Sequence, residues 1–214
     1  PEVMETWEDV LSYDAMDHAA VNQRFALDFL AAHGPMRGGQ AVDLGTGTAR
    51  IPIALCLADP SARVLAVDLS ENMLRRAQEN IAAAGLSGRI RALRCDVRSL
   101  PRPDDGYEAV FSNTILHHLS DPLPVLTQAL ALLAPGATLM IRDLYRPSSL
   151  EVLDSIVATY AGEEPDHAKA LFRDSLHAAF TVDEMRQMVR SLGIPPETVK
   201  MTSDRHWTWT WKAP

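Results

Sequence analysis

The stretch VDLGTGTAR, residues 42–50, is a short apolar run that breaks into a glycine turn and then into the opening of a helix. Glycine lets a ligand approach the backbone closely, and unpaired amides at a helix start favour a carboxylate or a phosphate. The dinucleotide fingerprint G-x-G-x-x-G is not met, because its sixth position is Arg50. What remains is an acid, Asp43, two places before Gly45, with Thr46 between Gly45 and Gly47 and Ala49 where a third small residue belongs. A pyrophosphate calls for the full glycine set, whereas a smaller amino-acid carboxylate needs less.

The pattern around this turn predicts a doubly wound α/β fold. Upstream, Val21, Phe25 and Phe29 recur at four-residue spacing before Gly34, which reads as an amphipathic helix over 17–33 and its stop. Ala41 to Leu44 reads as a strand leading into a helix over about 48–58. Val64 to Val67 leads into a helix capped by Ser70, with Met73, Leu74, Ala77 and Ile81 on one face and Gly85 at its end. Ile90 to Arg94 and Ala109 to Phe111 are further strands. DPLPVLTQALALLAPG, residues 121–136, reads as a helix with Asp121 as cap, Pro122 at the first helical position and Pro135-Gly136 as stop, followed by the strand ATLMIRDL. Such alternation implies parallel βαβ units covered on both faces, with ligands beyond the carboxyl ends of the strands, here after Leu44, Val67, Arg94 and Phe111.

After Leu144 the alternation lapses into two or three helical stretches over about 149–192. ETVKMTSDRHWTWTWK then closes the sequence as two strand-like runs expected to pair antiparallel, with SDRH as the turn. Trp207, Trp209 and Trp211 share one face of the last run. Packing under a helix, a homodimer contact and an aromatic substrate wall are the alternatives for them.

The 214 residues suit one domain, with hydrophobic residues at 47% and charged residues at 22% in the ordinary globular range. A formal charge of −8 offers no broad attraction to phosphate backbones, so no nucleic-acid partner is expected, and Arg89, Arg91, Arg94 and Arg98 read as a solvated strand and loop edge. Cys56 and Cys95 fit no metal or disulfide framework and read as reduced interior thiols. No basic start with an apolar stretch is present, nor a run of about 18 apolar residues, so a cytoplasmic protein without a membrane span is expected.

The strand ends carry the chemistry. Asp68 lies 21 residues beyond Gly47, where a carboxylate can accept hydrogen bonds from two ribose hydroxyls; alone, this suits NAD as well. Asp96 follows the third strand and suits the exocyclic amine of adenine, with Leu69 and Val97 available to sandwich the ring. Ser112, Asn113, His117 and His118 follow the fourth strand and should face the reactive end. A histidine can take a proton from an oxygen, carbon or sulfur nucleophile. His117 is favoured over His118 for that role; the alternative is that these histidines only pack between strand and helix. No further His, Asp or Glu stands at metal-ligand spacing, so no metal is expected. Tyr145 and Arg146, with Asp143, exit the fifth strand and could bind a polar substrate group.

With these residues in view, the chain resembles the class I S-adenosylmethionine-dependent methyltransferases, especially the small-molecule branch typified by ubiquinone and menaquinone biosynthesis enzymes. The resemblance covers about residues 17–146 and is carried by VDLGTGTAR, VLAVDLSENML, RCDVRSLP, YEAVFSNTILHHLSDP and LAPGATLMIRDL. It implies a Rossmann-like methyltransferase fold, a mostly parallel seven-stranded sheet with an antiparallel C-terminal strand. One methyltransferase domain is expected, with an N-terminal lid and helix (1–34), a cofactor-binding core (35–145) and a helical insertion with a strand pair (146–214). By that likeness Gly45, Thr46 and Gly47 border the methionine portion of the cofactor, Asp43 orders the loop near the amino group, Asp68 holds the ribose, and Asp96, Leu69 and Val97 hold the adenine. Asn113 joins the cofactor set. Ala49, where the family commonly has glycine, is a mild departure. Trp7, Tyr13, Met16 and His18 fall where the family places a lid, which puts Tyr13 with His118, Tyr145 and Arg146 among the acceptor-binding candidates.

The implied reaction is in-line methyl transfer to a small molecule, turning S-adenosylmethionine into S-adenosylhomocysteine. Amino-directed relatives often carry Asn-Pro-Pro-Tyr where this chain has Asn113-Thr114-Ile115-Leu116, which disfavours nucleic-acid and glutamine-amide acceptors. A tRNA or protein methyltransferase, a non-catalytic S-adenosylmethionine-binding protein and an NAD-dependent oxidoreductase are the competing readings, and the last leaves Asp96 unexplained.

Overall fold

A computed structural model describes residues 6–16 and 18–214. Seven strands form one sheet in the order β3-β2-β1-β4-β5-β7-β6. They are β1 (Ala41–Leu44), β2 (Val64–Asp68), β3 (Ile90–Arg94), β4 (Tyr107–Asn113), β5 (Leu133–Leu144), β6 (Val199–Met201) and β7 (His206–Lys212). β1 pairs in parallel with β2 and β4, β2 pairs in parallel with β3, and β6 pairs antiparallel with β7. Strand order therefore reverses beside β1, the topological position at which open α/β sheets form their ligand crevice.

The chain divides into two compact units. The first holds the residues up to Asn113 with Pro124–Met140 and Trp211–Pro214. Its helices are α1 (Trp7–Ala15), α2 (Ala19–His33), α3 (Arg50–Ala58) and α4 (Glu71–Ala83), with most of α5 (Leu123–Ala131). All four residues of β1 are buried, as expected of a central parallel strand covered on both faces, and this takes Asp43 into the interior with its apolar neighbours. Phe25 and Phe29 of α2 pack against Phe111 of β4 at ring separations of 5.9 and 5.3 Å. α4 begins as expected: the Ser70 hydroxyl accepts the Met73 N–H, and Leu74, Ala77 and Ile81 point into the core.

The second unit comprises Thr114–Leu123 and Ile141–Thr210. It contains α6 (Leu150–Ala161), α7 (Asp166–Ala178) and α8 (Val182–Ser191). Leu144, Leu153, Ile156, Leu176 and Ala179 form its apolar cluster. Thr181 and Glu184 close a reciprocal capping box on α8. Trp207 and Trp209 are fully buried, which fits the packing alternative for those two residues.

Two sequence expectations need correction. Pro135-Gly136 does not stop α5: the helix ends at Ala131, and the pair lies inside β5. Gly136 takes a left-handed φ of +74° and donates its N–H to the Ala213 carbonyl at 3.2 Å, while the Ala213 N–H reaches the Ala137 carbonyl at 2.9 Å. Pairing with the C-terminal residues claims this segment for the sheet, and burial of Leu132 and Leu133 draws the chain inward before the proline. Cys95 is only partly buried, unlike Cys56, because it lies past the end of β3. Among the described residues, no helix is long and apolar enough to cross a membrane.

Candidate active site

In the first unit the turn after β1 is built from left-handed residues: Gly45, Gly47 and Ala49 have φ of +75°, +55° and +61°. The Gly45 and Thr46 N–H groups donate to the Val67 carbonyl at 2.9 and 2.8 Å, tying the turn to the end of β2. Asp68 completes this tie by accepting the Gly47 N–H at 2.8 Å on one oxygen and the Ser70 N–H at 2.9 Å on the other. Burial pushes the Asp68 carboxyl up, against the backbone N–H groups of Ser70, Gly47 and Leu69. A side chain at Gly47 would meet nothing within 4 Å, so the turn leaves open space at the residue whose amide faces Asp68.

Asp43 is 2% exposed, and among the described residues its Oδ1 meets no hydrogen-bond partner; nor does Thr46 Oγ1, two residues past its strand. Burial first, and the Asp68 charge second, push the Asp43 carboxyl up to about 7, with the nearby Thr46 hydroxyl opposing. A buried carboxylate oxygen without a partner, beside an open glycine turn, asks for a donor, and the amino group of an amino-acid moiety is one. These residues therefore fit the methionine end of S-adenosylmethionine. Leu69 is 55% exposed although apolar, and Val97 is half-buried.

Two placements were illegible in the sequence. The Asp96 carboxylate receives the Arg98 backbone N–H at 2.9 Å and its guanidinium at 2.5 to 3.0 Å, which lowers its pKa; an adenine amine would share that carboxylate with Arg98. Tyr13 of α1 lies close enough to Asp68 for that charge, after burial and ahead of Asp14, to raise the phenol pKa. Asn113 ends β4, where the neighbouring Ser112 hydroxyl donates to the Leu44 carbonyl at 2.6 Å and so fixes β4 against β1.

In the second unit Asp143, 1% exposed, organises the turn that carries the histidines. Its Oδ2 accepts the Leu116 N–H at 2.6 Å, and its Oδ1 faces His117 Nδ1 at 2.6 Å. This contact sets the tautomer with a proton on Nδ1 and leaves Nε2 as the basic nitrogen. The sequence suggested Asp143 for substrate; its geometry is that of a carboxylate orienting an imidazole. The His118 ring lies 4.0 Å from that of His117, and burial, then His117, depress its pKa to about 4. Arg146 is paired with Glu184 at the start of α8. Tyr145 borders an open groove of about 380 Å³ with Thr181, Arg186 and Lys200.

A reversing parallel sheet with a glycine turn after β1 and an acid closing β2 defines the Rossmann-like α/β class. Comparison with known proteins narrows it. A family model for a methyltransferase domain matches residues 41–136. The chain is 31% identical over 139 residues to a ubiquinone/menaquinone biosynthesis C-methyltransferase of Desulfotalea psychrophila, matching 64% of this chain and 55% of that protein, so it spans about half the length of that relative. It is 28% identical over 212 residues to an uncharacterized methyltransferase of Mycobacterium tuberculosis, with 97% and 98% of the two chains matched. A crystal structure of an S-adenosylmethionine-dependent methyltransferase from Aquifex aeolicus superposes with a TM-score of 0.68 over 98% of this chain and 99% of that one, at 18% identity. Residues 41–136 thus match the methyltransferase-domain family, and along nearly its whole length the chain is similar to a methyltransferase.

Proposed function

We propose that this protein methylates a small molecule at an oxygen, carbon, sulfur or nitrogen nucleophile, with His117 as general base. The observation that carries the base assignment is the buried His117–Asp143 contact of 2.6 Å. The quinone-directed relative and the sequence Asn113-Thr114-Ile115-Leu116 support a small acceptor.

The bound cofactor supplies a sulfonium methyl, an already activated electrophile. In the proposed arrangement Asp68 accepts the ribose hydroxyls, Asp43 and the Gly45–Gly47 turn hold the methionine end, and Asp96, Leu69 and Val97 hold the adenine, with Asn113 completing the set. His117 Nε2 takes the proton from the acceptor, and Asp143 balances the charge that develops on the ring. The acceptor's electron pair forms the new bond to the methyl carbon as the carbon–sulfur bond breaks, giving methylated acceptor and S-adenosylhomocysteine. Tyr13, His118, Tyr145 and Arg146 are proposed to contact the acceptor. Orientation contributes about 7 to 11 kcal/mol in well-aligned systems, against about 3 to 5 kcal/mol for a base worth 100- to 10,000-fold, so the His117 contribution is the smaller one.

The test is transfer of labelled methyl to a panel of phenols, quinols, thiols, amines and carboxylates, and to tRNA and cell protein. Small-molecule transfer is expected, with His117→Ala lowering kcat by about 100-fold or more and leaving S-adenosylhomocysteine affinity unchanged. Transfer only to tRNA or protein would replace the acceptor class, no transfer at all would favour a binding protein, and unaltered turnover in His117→Ala would remove the base.

A further inference from the structure

Arg50 occupies the position at which a dinucleotide-binding turn carries its third glycine, and the structure gives that arginine a partner. Its Nε and Nη2 donate to the two carboxylate oxygens of Asp14 at 2.8 and 2.6 Å. Arg76 Nε donates to the same carboxylate at 2.7 Å, and Asn80 Nδ2 reaches it at 3.1 Å while also donating to the Thr48 carbonyl of the glycine turn at 3.0 Å. Burial alone would raise the Asp14 pKa; hydrogen bonds from Arg50, Thr48 and Arg76 outweigh it and hold the group well below the usual carboxylate range.

Besides Thr48 of the glycine turn, the partners of Asp14 sit on the two helices that follow the proposed cofactor-binding turns. Arg50 opens α3 directly after the glycine turn, and Arg76 and Asn80 lie on α4, the helix that follows Asp68. Asp14 itself is on α1, next to Tyr13, whose phenol pKa is raised by burial and then by the Asp68 charge. α1 has nine residues and Val10 is its one buried apolar residue, too little apolar burial for a helix of that length to hold its place unaided. Trp7 adds a tether, its ring lying 4.1 Å from the Arg75 guanidinium.

We propose that Asp14 is a positioning residue that latches α1, and with it Tyr13, beside the ribose partner Asp68, so that its release from Arg50 and Arg76 governs cofactor exchange. The proposal rests on the reading of Asp68 as the ribose ligand. It gives a role to Arg50, the first residue after the turn: its guanidinium anchors α1. The side chains of Arg50 and Arg76 are 45% and 29% exposed, so both can turn to water when Asp14 is neutralised, and the core should survive the substitution.

The experiment compares the intact protein with Asp14→Asn, Asp14→Glu and Arg50→Gln, measuring association and dissociation of S-adenosylhomocysteine by stopped flow and amide exchange over residues 7–15. Asp14→Asn should speed dissociation at least tenfold, change association less than threefold, and speed exchange in α1 while α3 and α4 keep their protection. Asp14→Glu should recover part of the slow dissociation, and Arg50→Gln should fall between; should Asp14→Asn fail to fold, Arg50→Gln decides alone. Dissociation within twofold of the unmodified protein despite faster α1 exchange would overturn the control of exchange, and unchanged α1 exchange would overturn the latch. Asp68→Ala separates the underlying reading: it should weaken equilibrium binding at least tenfold, and unchanged affinity there would remove the ribose assignment while α1 exchange still judges the latch.

Discussion

Asp43 is a carboxylate carried by an entirely buried strand, and its energetics follow from that position. Its pKa rises from the ordinary 3.8 to about 7, so the folded protein binds this proton more tightly than the unfolded chain does. The group therefore favours folding least above pH 7, and its contribution becomes more favourable as pH falls from 7 toward 4. The difference is about 4 kcal/mol at the full shift, at 1.36 kcal/mol per unit. In the proposed arrangement ligand binding runs the other way, because a cationic amino group needs the ionised carboxylate. Affinity for S-adenosylhomocysteine should fall up to tenfold per pH unit below 7, while Asp43→Asn should flatten that dependence and raise the melting temperature at pH 8. Calorimetric titration across pH 5.5 to 8.5 checks the first expectation, and thermal denaturation the second.

The glycine turn is the element on which cofactor binding should depend most. Alanine at Gly47 would have to keep a φ of +55°, which costs about 1 to 2 kcal/mol, and its methyl would project into the space proposed for the cofactor. Gly47→Ala should lower stability by that amount and weaken S-adenosylhomocysteine binding at least tenfold; lost stability with intact affinity would show that the open space is not the cofactor's. Elements of this kind were legible in the sequence where their signals are local. α4 declares itself through the Ser70 cap and the Leu74, Ala77, Ile81 spacing, and β2 through its apolar run ending in Asp68. The end of α5 was not legible, because Pro135-Gly136 is a good helix stop and only pairing with Ala213, far along the chain, shows that the strand has already begun. The same holds for Asp14, whose partners lie 36, 62 and 66 residues away, although an arginine at position 50 and an asparagine on the buried side of α4 were signs of an unmet need. Arg98, two residues past Asp96, was visible in sequence but its capture of that carboxylate depends on the tight turn between them.

For the molecule as a whole, two histidines with depressed pKa values set its tolerance of acid. Burial, the leading cause in each, takes His118 and His206 to about 4. The unfolded chain protonates them near 6.5, so the stability they permit is full above that pH and is lost as pH falls toward 4, by up to about 1.4 kcal/mol per unit for each. His118→Gln and His206→Gln should each lose less stability than the unmodified protein between pH 7 and pH 5, as read from urea midpoints at the two pH values. Equal losses would show that these rings are charged in the folded state.

The unlike surroundings of the two cysteines carry a practical consequence. Cys56 is interior, and burial raises its pKa to about 11, leaving almost no thiolate to react at neutral pH, whereas Cys95 is partly accessible and adjoins Asp96. Maleimide chemistry would therefore mark one position, next to the proposed adenine partner Asp96, and supply a native attachment point for a fluorophore placed to report binding there.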